Sequence, residues 1–191
     1  MCIRDSDSST ALTIDTGAAA IYITGVTNSP NFNIPTGVGE FQPCLNGPLL
    51  TTCSTTPNTT NSDAYVAKFT NPTATSGTTA TSVGLSYFSY IGGSLDDSGL
   101  AIAVDTAAGA LVTGTTDSTD FPVVTATGTV PIQSHLAGTQ NAFFAHINTT
   151  TTSGTSTVGS YATYFGGNGV DRGTSITIDP AQNIYLSLIH I

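Results

Sequence analysis

Ala101–Phe121 reads AIAVDTAAGALVTGTTDSTDF, and Ala11–Phe32 reads ALTIDTGAAAIYITGVTNSPNF. The two align once a single residue is removed. A third copy starts at Ser175 as SITIDPAQNIY. Asp15, Asp105 and Asp179 are the fixed points, 90 residues apart (105 minus 15) and then 74 (179 minus 105). Within the second copy Ile102 and Val104 alternate with Ala101 and Ala103, the two-residue period of a half-buried strand. A Thr-Ala-Ala-Gly turn then reverses the chain into Ala110–Thr113, which makes a hairpin. Thr16-Gly17-Ala18 and Pro180–Asn183 supply the turn in the other copies.

Two further blocks recur in the same order. Asp63–Phe69 (DAYVAKF) matches Asn141–Ile147 (NAFFAHI), and Ser86–Asp97 (SYFSYIGGSLDD) matches Ser160–Asp171 (SYATYFGGNGVD). One unit therefore predicts four short strands, over 100–105, 109–116, 141–148 and 159–165. A single sheet of this kind cannot bury both faces by itself. Radial stacking of four-stranded antiparallel sheets solves the problem, so the expected fold is all-β, a β-propeller with an incomplete ring. The units run over 7–91, with a long loop insertion at 35–62, then 92–165, then the start of a third at 166–185. Length differences fall in the Thr/Pro/Asn-rich connections Pro35–Ser62 and Asn71–Val83, as surface loops allow.

Composition agrees with this reading. Of 191 residues only 8% are charged, with 3 Lys+Arg against 12 Asp+Glu, a formal net charge of −9. Three basic residues cannot neutralise a phosphate backbone, so nucleic acid is excluded as a partner. No apolar run reaches the ~18 residues of a membrane helix. Thr, Val, Ile, Tyr and Phe with abundant Gly and Asn favour strands and turns.

The ends read differently. Residues 1–6 (MCIRDS) and 186–191 (LSLIHI) resemble translated sequencing-adapter read-through. They are expected to be foreign to the native chain. On that expectation Cys2, Arg4 and His190 carry no role, and neighbouring blades are missing.

The set Tyr90-Ile91-Gly92-Gly93-Ser94-x-Asp96-Asp97-x-Gly99, then Ala101–Asp105, Val112-Thr113-Gly114, Ser118–Pro122 and Asn141-Ala142-Phe143 resembles the SBBP β-propeller repeat family. That pattern runs YLGGSGDD, GIAVD, YVTG, a Thr/Ser-rich stretch ending DFP, then DAFVAKL. The chain departs from it at Asn31, which replaces the Asp before Phe32, and at Ile34. Asp171-Arg172 lacks the double Asp, and His146 stands where the first unit has Lys68. The resemblance implies a propeller of secreted or surface bacterial proteins without a defined reaction.

Candidate chemistry is sparse. Asp96, Asp97 and Asp171, beside Gly-Gly turns, are the weak Ca²⁺ candidates, since Ca²⁺ takes six to eight oxygens. The competing reading has them cap tight turns, and no metal or other cofactor is assigned. Asp15, Asp105 and Asp179 recur in every unit, which argues for turn chemistry over catalysis. Asp117 and Asp120 form a carboxylate pair of the glycosidase type, read here as solvated loop acids. His135 and His146 lack the partners of a zinc site. Cys44 and Cys53, in one Pro/Thr-rich loop, suit a disulfide of an exported protein, against the alternative of two free thiols. Asn58-Thr59-Thr60 and Asn148-Thr149-Thr150 match the glycosylation acceptor pattern. No catalytic residue is assigned.

The expected function is a non-catalytic propeller scaffold of a secreted or cell-surface bacterial protein, binding a protein or glycan. The alternatives are a fragment of an exported propeller enzyme acting on polysaccharide, and a β-sandwich stalk or adhesin module.

Overall fold

The computed structural model describes residues 7–32, 39–47, 53–54, 56, 58–70, 83–125, 128–150 and 158–191. Cys2 and Arg4 lie outside the described residues, as do parts of the 35–62 connection and nearly all of Asn71–Val83.

Ten strands follow in chain order. They are β1 (Ser8–Asp15), β2 (Ala20–Thr27), β3 (Asp63–Thr70), β4 (Gly84–Ile91), β5 (Asp97–Val104), β6 (Gly109–Thr116), β7 (Asn141–Asn148), β8 (Tyr161–Phe165), β9 (Asp171–Ile178) and β10 (Ile184–His190). The strands expected at 100–105, 109–116, 141–148 and 159–165 are β5 to β8. They form three antiparallel sheets, β1-β2-β3-β4, β5-β6-β7-β8 and β9-β10. Among the described residues no helix is long and apolar enough to cross a membrane.

The leading hairpin of each sheet is the same object built three times. β1 pairs with β2, β5 with β6 and β9 with β10, and each pairing slips once near the start of its first strand, between Ser9 and Ala11, between Gly99 and Ala101, and opposite Ser187/Leu188. Such a bulge adds right-handed twist and re-aims the strand. Each hairpin turn holds one residue in the left-handed region: Ala19 (φ 48°), Ala108 (φ 63°) and Gln182 (φ 67°).

The sheets stack face to face in series. β5 packs on β1, β2 and β3, and β9 packs on β5, β6 and β7. The first strands β1, β5 and β9 are thus neighbours, as the inner strands of propeller blades are, and the three sheets do not close into a ring. The middle sheet is covered on both sides. One face, with Ile102, Val112, Phe143, Ala145 and Tyr164, meets Tyr22, Val66 and Tyr87 of the first sheet. The other, with Ala103, Leu111 and Phe144, meets Ile176 and Ile178 of the third. A β-sandwich has no such middle layer.

Position in the stack decides burial. Leu12, Ile102 and Ile176 are equivalent by the repeat. Ile102 and Ile176 are each 7% exposed beneath the preceding sheet, whereas Leu12, with no sheet before it, is 63% exposed. Burying one such side chain contributes about 1.5–3 kcal/mol, so the stacking faces hold the assembly.

Residues 186–191, set apart in the sequence, form most of β10. They pair with β9 from Leu186↔Ile176 to His190↔Asp171. Leu186 and Leu188 are half-buried while Ser187 and Ile189 are exposed. An alternating apolar string satisfies an open strand edge whatever its detailed sequence, because the backbone supplies the pairing.

Candidate functional site

The polar residues of the fold gather at two kinds of place: joints where one sheet hands over to the next, and a cleft between the hairpin turns.

Each joint begins where an outer strand ends. Gly92-Gly93 follows β4, and the chain crosses to the innermost strand of the next sheet, which opens with Asp97. Asp97 is fully buried. Its Oδ2 accepts from the Gly93 N–H (2.7 Å) and from the Ser118 hydroxyl (2.8 Å). The Thr116 hydroxyl bonds the same carboxylate. One carboxyl thus ties the exit of the first sheet to two strands' ends of the second. The second joint repeats this at Gly166-Gly167 and Asp171. Asp171 Oδ2 accepts from the Gly167 N–H (2.7 Å), and Asp171 Oδ1 pairs with His190 Nδ1 (2.6 Å). His190 stands opposite Asp171 as Thr116 stands opposite Asp97. Asp7 completes the series at the head of the first sheet, accepting from the hydroxyls of Thr27 and Ser29.

A glutamine braces each joint from the long connection before the third strand, Gln42 fully buried and Gln133 half-buried. Gln42 Oε1 accepts from the Gly92 N–H (3.0 Å), and Gln133 Oε1 from the Gly166 N–H (2.9 Å). The Gln42 N–H donates to Ser89 Oγ (2.8 Å), and the Gln133 N–H to Thr163 Oγ1 (3.0 Å). Gln42 Nε2 donates to the Cys44 carbonyl (2.9 Å), and Gln133 Nε2 to that of His135 (2.7 Å). The 35–62 connection therefore contains a repeated segment, Phe41–Gly47 (FQPCLNG), that matches Ile132–Gly138 (IQSHLAG).

The head of the third strand faces the aspartate across the glycine. In the first sheet it is Asp63, in the second Asn141, and both are fully buried. Asn141 Oδ1 accepts from the Ala137 N–H (2.7 Å), and its Nδ2 donates to Asp171 Oδ2 (3.1 Å). Asp63 Oδ2 accepts from the Asn46 N–H and from Gln42 Nε2, both at 2.9 Å. Asp63 Oδ1 and Asp97 Oδ1 are buried without a hydrogen-bond partner. Burial pushes Asp63 well above the carboxylate range, and the nearby Asp97 charge adds to it. Burial lifts Asp97 to about 7. Burial also acts to raise Asp171, but the His190, Gly167 and Asn141 donors outweigh it and hold that carboxyl below the usual range.

The second place is a cleft of about 460 Å³ between the three hairpin turns, lined among others by Asp15, Asp105, Asp179, Thr106 and Gln182. All three aspartates cap their own turns. Asp15 Oδ1 accepts from the Gly17 N–H (2.9 Å), Asp105 Oδ1 from the Ala107 and Gly109 N–H groups (2.8 and 2.7 Å), and Asp179 Oδ1 from the Asn183 N–H (2.9 Å). The Asn183 donors hold Asp179 below the usual range. Thr106 reaches across the cleft, its N–H and hydroxyl both at 3.2 Å from Gln182 Oε1. Asp105 Oδ2 also pairs with His146 Nε2 at 2.8 Å.

The remaining sequence candidates separate. Asp97 and Asp171 occupy equivalent places in successive joints, not one site, and Asp96 Oδ1 accepts from Ser62 N–H and hydroxyl at the surface (2.9 and 3.0 Å). Among the described residues no group of three or more His, Cys, Asp or Glu is placed to hold a metal ion. Asp117 Oδ1 accepts from Gln140 Nε2 (2.8 Å) and Asp120 Oδ1 from the Ser94 N–H (2.9 Å), so each acid closes its own loop contact. His135 is exposed beside Ser134. Cys44 and Cys53 are joined by a disulfide with Cα atoms 5.1 Å apart. Asn58 and Asn148 are exposed or half-exposed turn residues that accept from the Thr60 and Thr150 N–H groups.

Two joints of one pattern, each a Gly-Gly exit followed by a buried aspartate at the head of an inner strand, mark a repeat whose boundary lies inside the sheets. Residues 86–122 and 160–187 match the family model of the SBBP beta-propeller repeat. Two segments of the chain are thus similar to the SBBP repeat. The first runs from β4 across the joint to the end of the β5–β6 hairpin, and the second from β8 into β10. Each SBBP match is therefore centred on a joint, with Asp63 and Asn141 outside both. A comparison with curated proteins finds no match.

Sequence reasoning missed Asp7, Gln42, Gln133 and the Asp63/Asn141 position as joint residues. Asp7 was legible in a spacing of eight residues before the turn aspartate, the spacing of Asp97 to Asp105 and Asp171 to Asp179. The glutamines were legible in the shared Gln-x-x-Leu-x-Gly string. The different lengths of chain after Gly47 and Gly138 hid them.

Proposed function

We propose that the chain is a non-catalytic propeller-type scaffold of an exported or cell-surface protein, and that it binds a protein or glycan at the turn cleft. The observation that carries this reading is the repetition of the joint acids. Asp7, Asp97 and Asp171 recur at the heads of successive sheets, and each accepts from hydroxyls or backbone N–H groups of its own joint, as structural carboxylates do. A catalytic constellation needs one copy and a group free to react. The disulfide supports an exported setting, because such bonds persist in oxidising compartments. The cleft combines turn backbone, Thr106, Gln182 and apolar Ile14, Val104 and Ile178. A few polar groups beside apolar walls suit a sugar ring or a peptide segment.

A glycan array and a panel of surface proteins, probed with the labelled 191-residue chain, test the reading. Saturable binding that falls about tenfold in Gln182→Ala, a loss of about 1.4 kcal/mol, is expected. Release of shortened glycans from the array, or binding untouched by changes at Gln182 and Thr106, contradicts it.

A further inference from the structure

The two joints share a cradle around the first glycine and differ in the atom that fills it opposite the aspartate. A Cβ placed on Gly166 would lie 2.3 Å from Asn141 Nδ2 and 2.5 Å from Asp171 Oδ2. A Cβ placed on Gly92 would lie 2.6 Å from Asp63 Oδ1 and 2.7 Å from Asp97 Oδ2. Asp63 Oδ1 therefore stands where Asn141 Nδ2 stands, and Asp97 Oδ2 stands where Asp171 Oδ2 stands. The second joint fills this place with an N–H donor. The first fills it with an oxygen that has no hydrogen-bond partner and is fully buried.

We propose that Asp63 and Asp97 share a proton across the first joint, Asp63 Oδ1 donating to Asp97 Oδ2 as Asn141 Nδ2 donates to Asp171 Oδ2, and that the joint loosens when this proton is lost to solvent. Two buried carboxylates so close cannot both ionise without strong repulsion, and one proton converts repulsion into a charge-assisted hydrogen bond. Among the described residues no cation acts on the pair. The acids Asp96, Asp117 and Asp120 come from the joint loop and from the segment after β6, and Asp117 and Asp120 act to raise the pair. The phenols of Tyr90 on β4 and Tyr164 on β8 face it and are themselves raised, first by burial. The His146–Asp105 and His190–Asp171 contacts both lie away from the pair.

The direction of the pH effect follows. A carboxyl that holds its proton more tightly in the folded state contributes fully below its ordinary value of 3.8, and the contribution is lost as pH rises, through about 7 for Asp97 and through the raised range of Asp63. The pair titrates as a unit in two steps. The first joint is thus strongest in mild acid and weakens toward alkaline pH, opposite to an ordinary salt-bridged aspartate.

Thermal melting of the full chain, with Asp63→Asn and Asn141→Asp, from about pH 5 to about pH 8 tests this. The wild type should lose melting temperature across the range. Asp63→Asn supplies the missing N–H donor, so it should flatten the curve and melt about 5 °C above wild type at the alkaline end. Asn141→Asp should acquire a second, steeper fall. If Asn141→Asp does not fold, Asp63→Asn alone decides. A fall that survives Asp63→Asn overturns the proposal. So does a rise in wild-type melting temperature with added Ca²⁺ that Asp63→Asn abolishes, which would make the pair a cation site.

Discussion

Asp97 and Asp171 hold the same place in successive sheets, accept from the same kind of glycine N–H, and shift in opposite directions. Burial lifts Asp97 to about 7, while Asp171 is held low because its donors outweigh the effect of burial. Burial acts first on both, and at Asp171 the His190, Gly167 and Asn141 donors reverse it; across the glycine the joints carry Asp63 and Asn141. A repeat can thus keep its geometry and change its electrostatics through the side chains around one carboxyl. The architecture sits in the glycines and the aspartate, and the response to pH sits at the head of the third strand.

The largest expected effect breaks both joints alike. Gly92→Ala and Gly166→Ala each drive a methyl into two buried polar groups, within 2.3–2.7 Å of them. Each should cost about 3 kcal/mol, read as a lower urea midpoint with unchanged slope. If one substitution is harmless, the joints are not equivalent.

Asp97→Ala comes next, at about 2–3 kcal/mol, because the Gly93 N–H and the Ser118 and Thr116 hydroxyls lose their acceptor. The same change removes a buried acid beside Asp63, so the cost should shrink as pH rises. Denaturant titrations at mildly acid and alkaline pH check that sign. Reduction of Cys44–Cys53 loosens the loop that carries Gln42 and Asn46 to the first joint. A loss of about 2–3 kcal/mol is expected, confined by hydrogen exchange to the first joint, since the second has His135 in place of Cys44. Ala108→Gly, at a φ of 63°, should stabilise by about 0.5 kcal/mol by relieving a left-handed residue.

The hairpins were legible because their signal is local. Ile102 and Val104 alternate, and Asp105 accepts from the N–H groups two and four residues on, so strand and turn are both written within a short stretch. The stack followed from repetition, since Ile102 and Ile176 need a neighbouring sheet to bury them. The joints were harder to read. Gln42 and Gln133 are separated from the strands they brace by connections of unequal length, and a bracing glutamine resembles a loop glutamine in sequence. Asp97 was visible as an anchor, but its raised pKa comes first from burial, and burial and the neighbouring Asp63 are both set by folding, which brings another strand across Gly92. The pairing of 186–191 with β9 was not foreseen, because edge pairing is made by the backbone and leaves little sequence signature.

The most direct test of the contrast between the joints is a carboxyl ¹³C titration of the aspartates by NMR at neutral pH and above. The account predicts that Asp63 keeps the signal of a protonated carboxyl at neutral pH while Asp171 is fully ionised, and that Asp63→Asn drops the midpoint of Asp97 toward that of Asp171. Ionised carboxylates at both Asp63 and Asp97 at neutral pH, with no change in Asp97 on substitution, would contradict it.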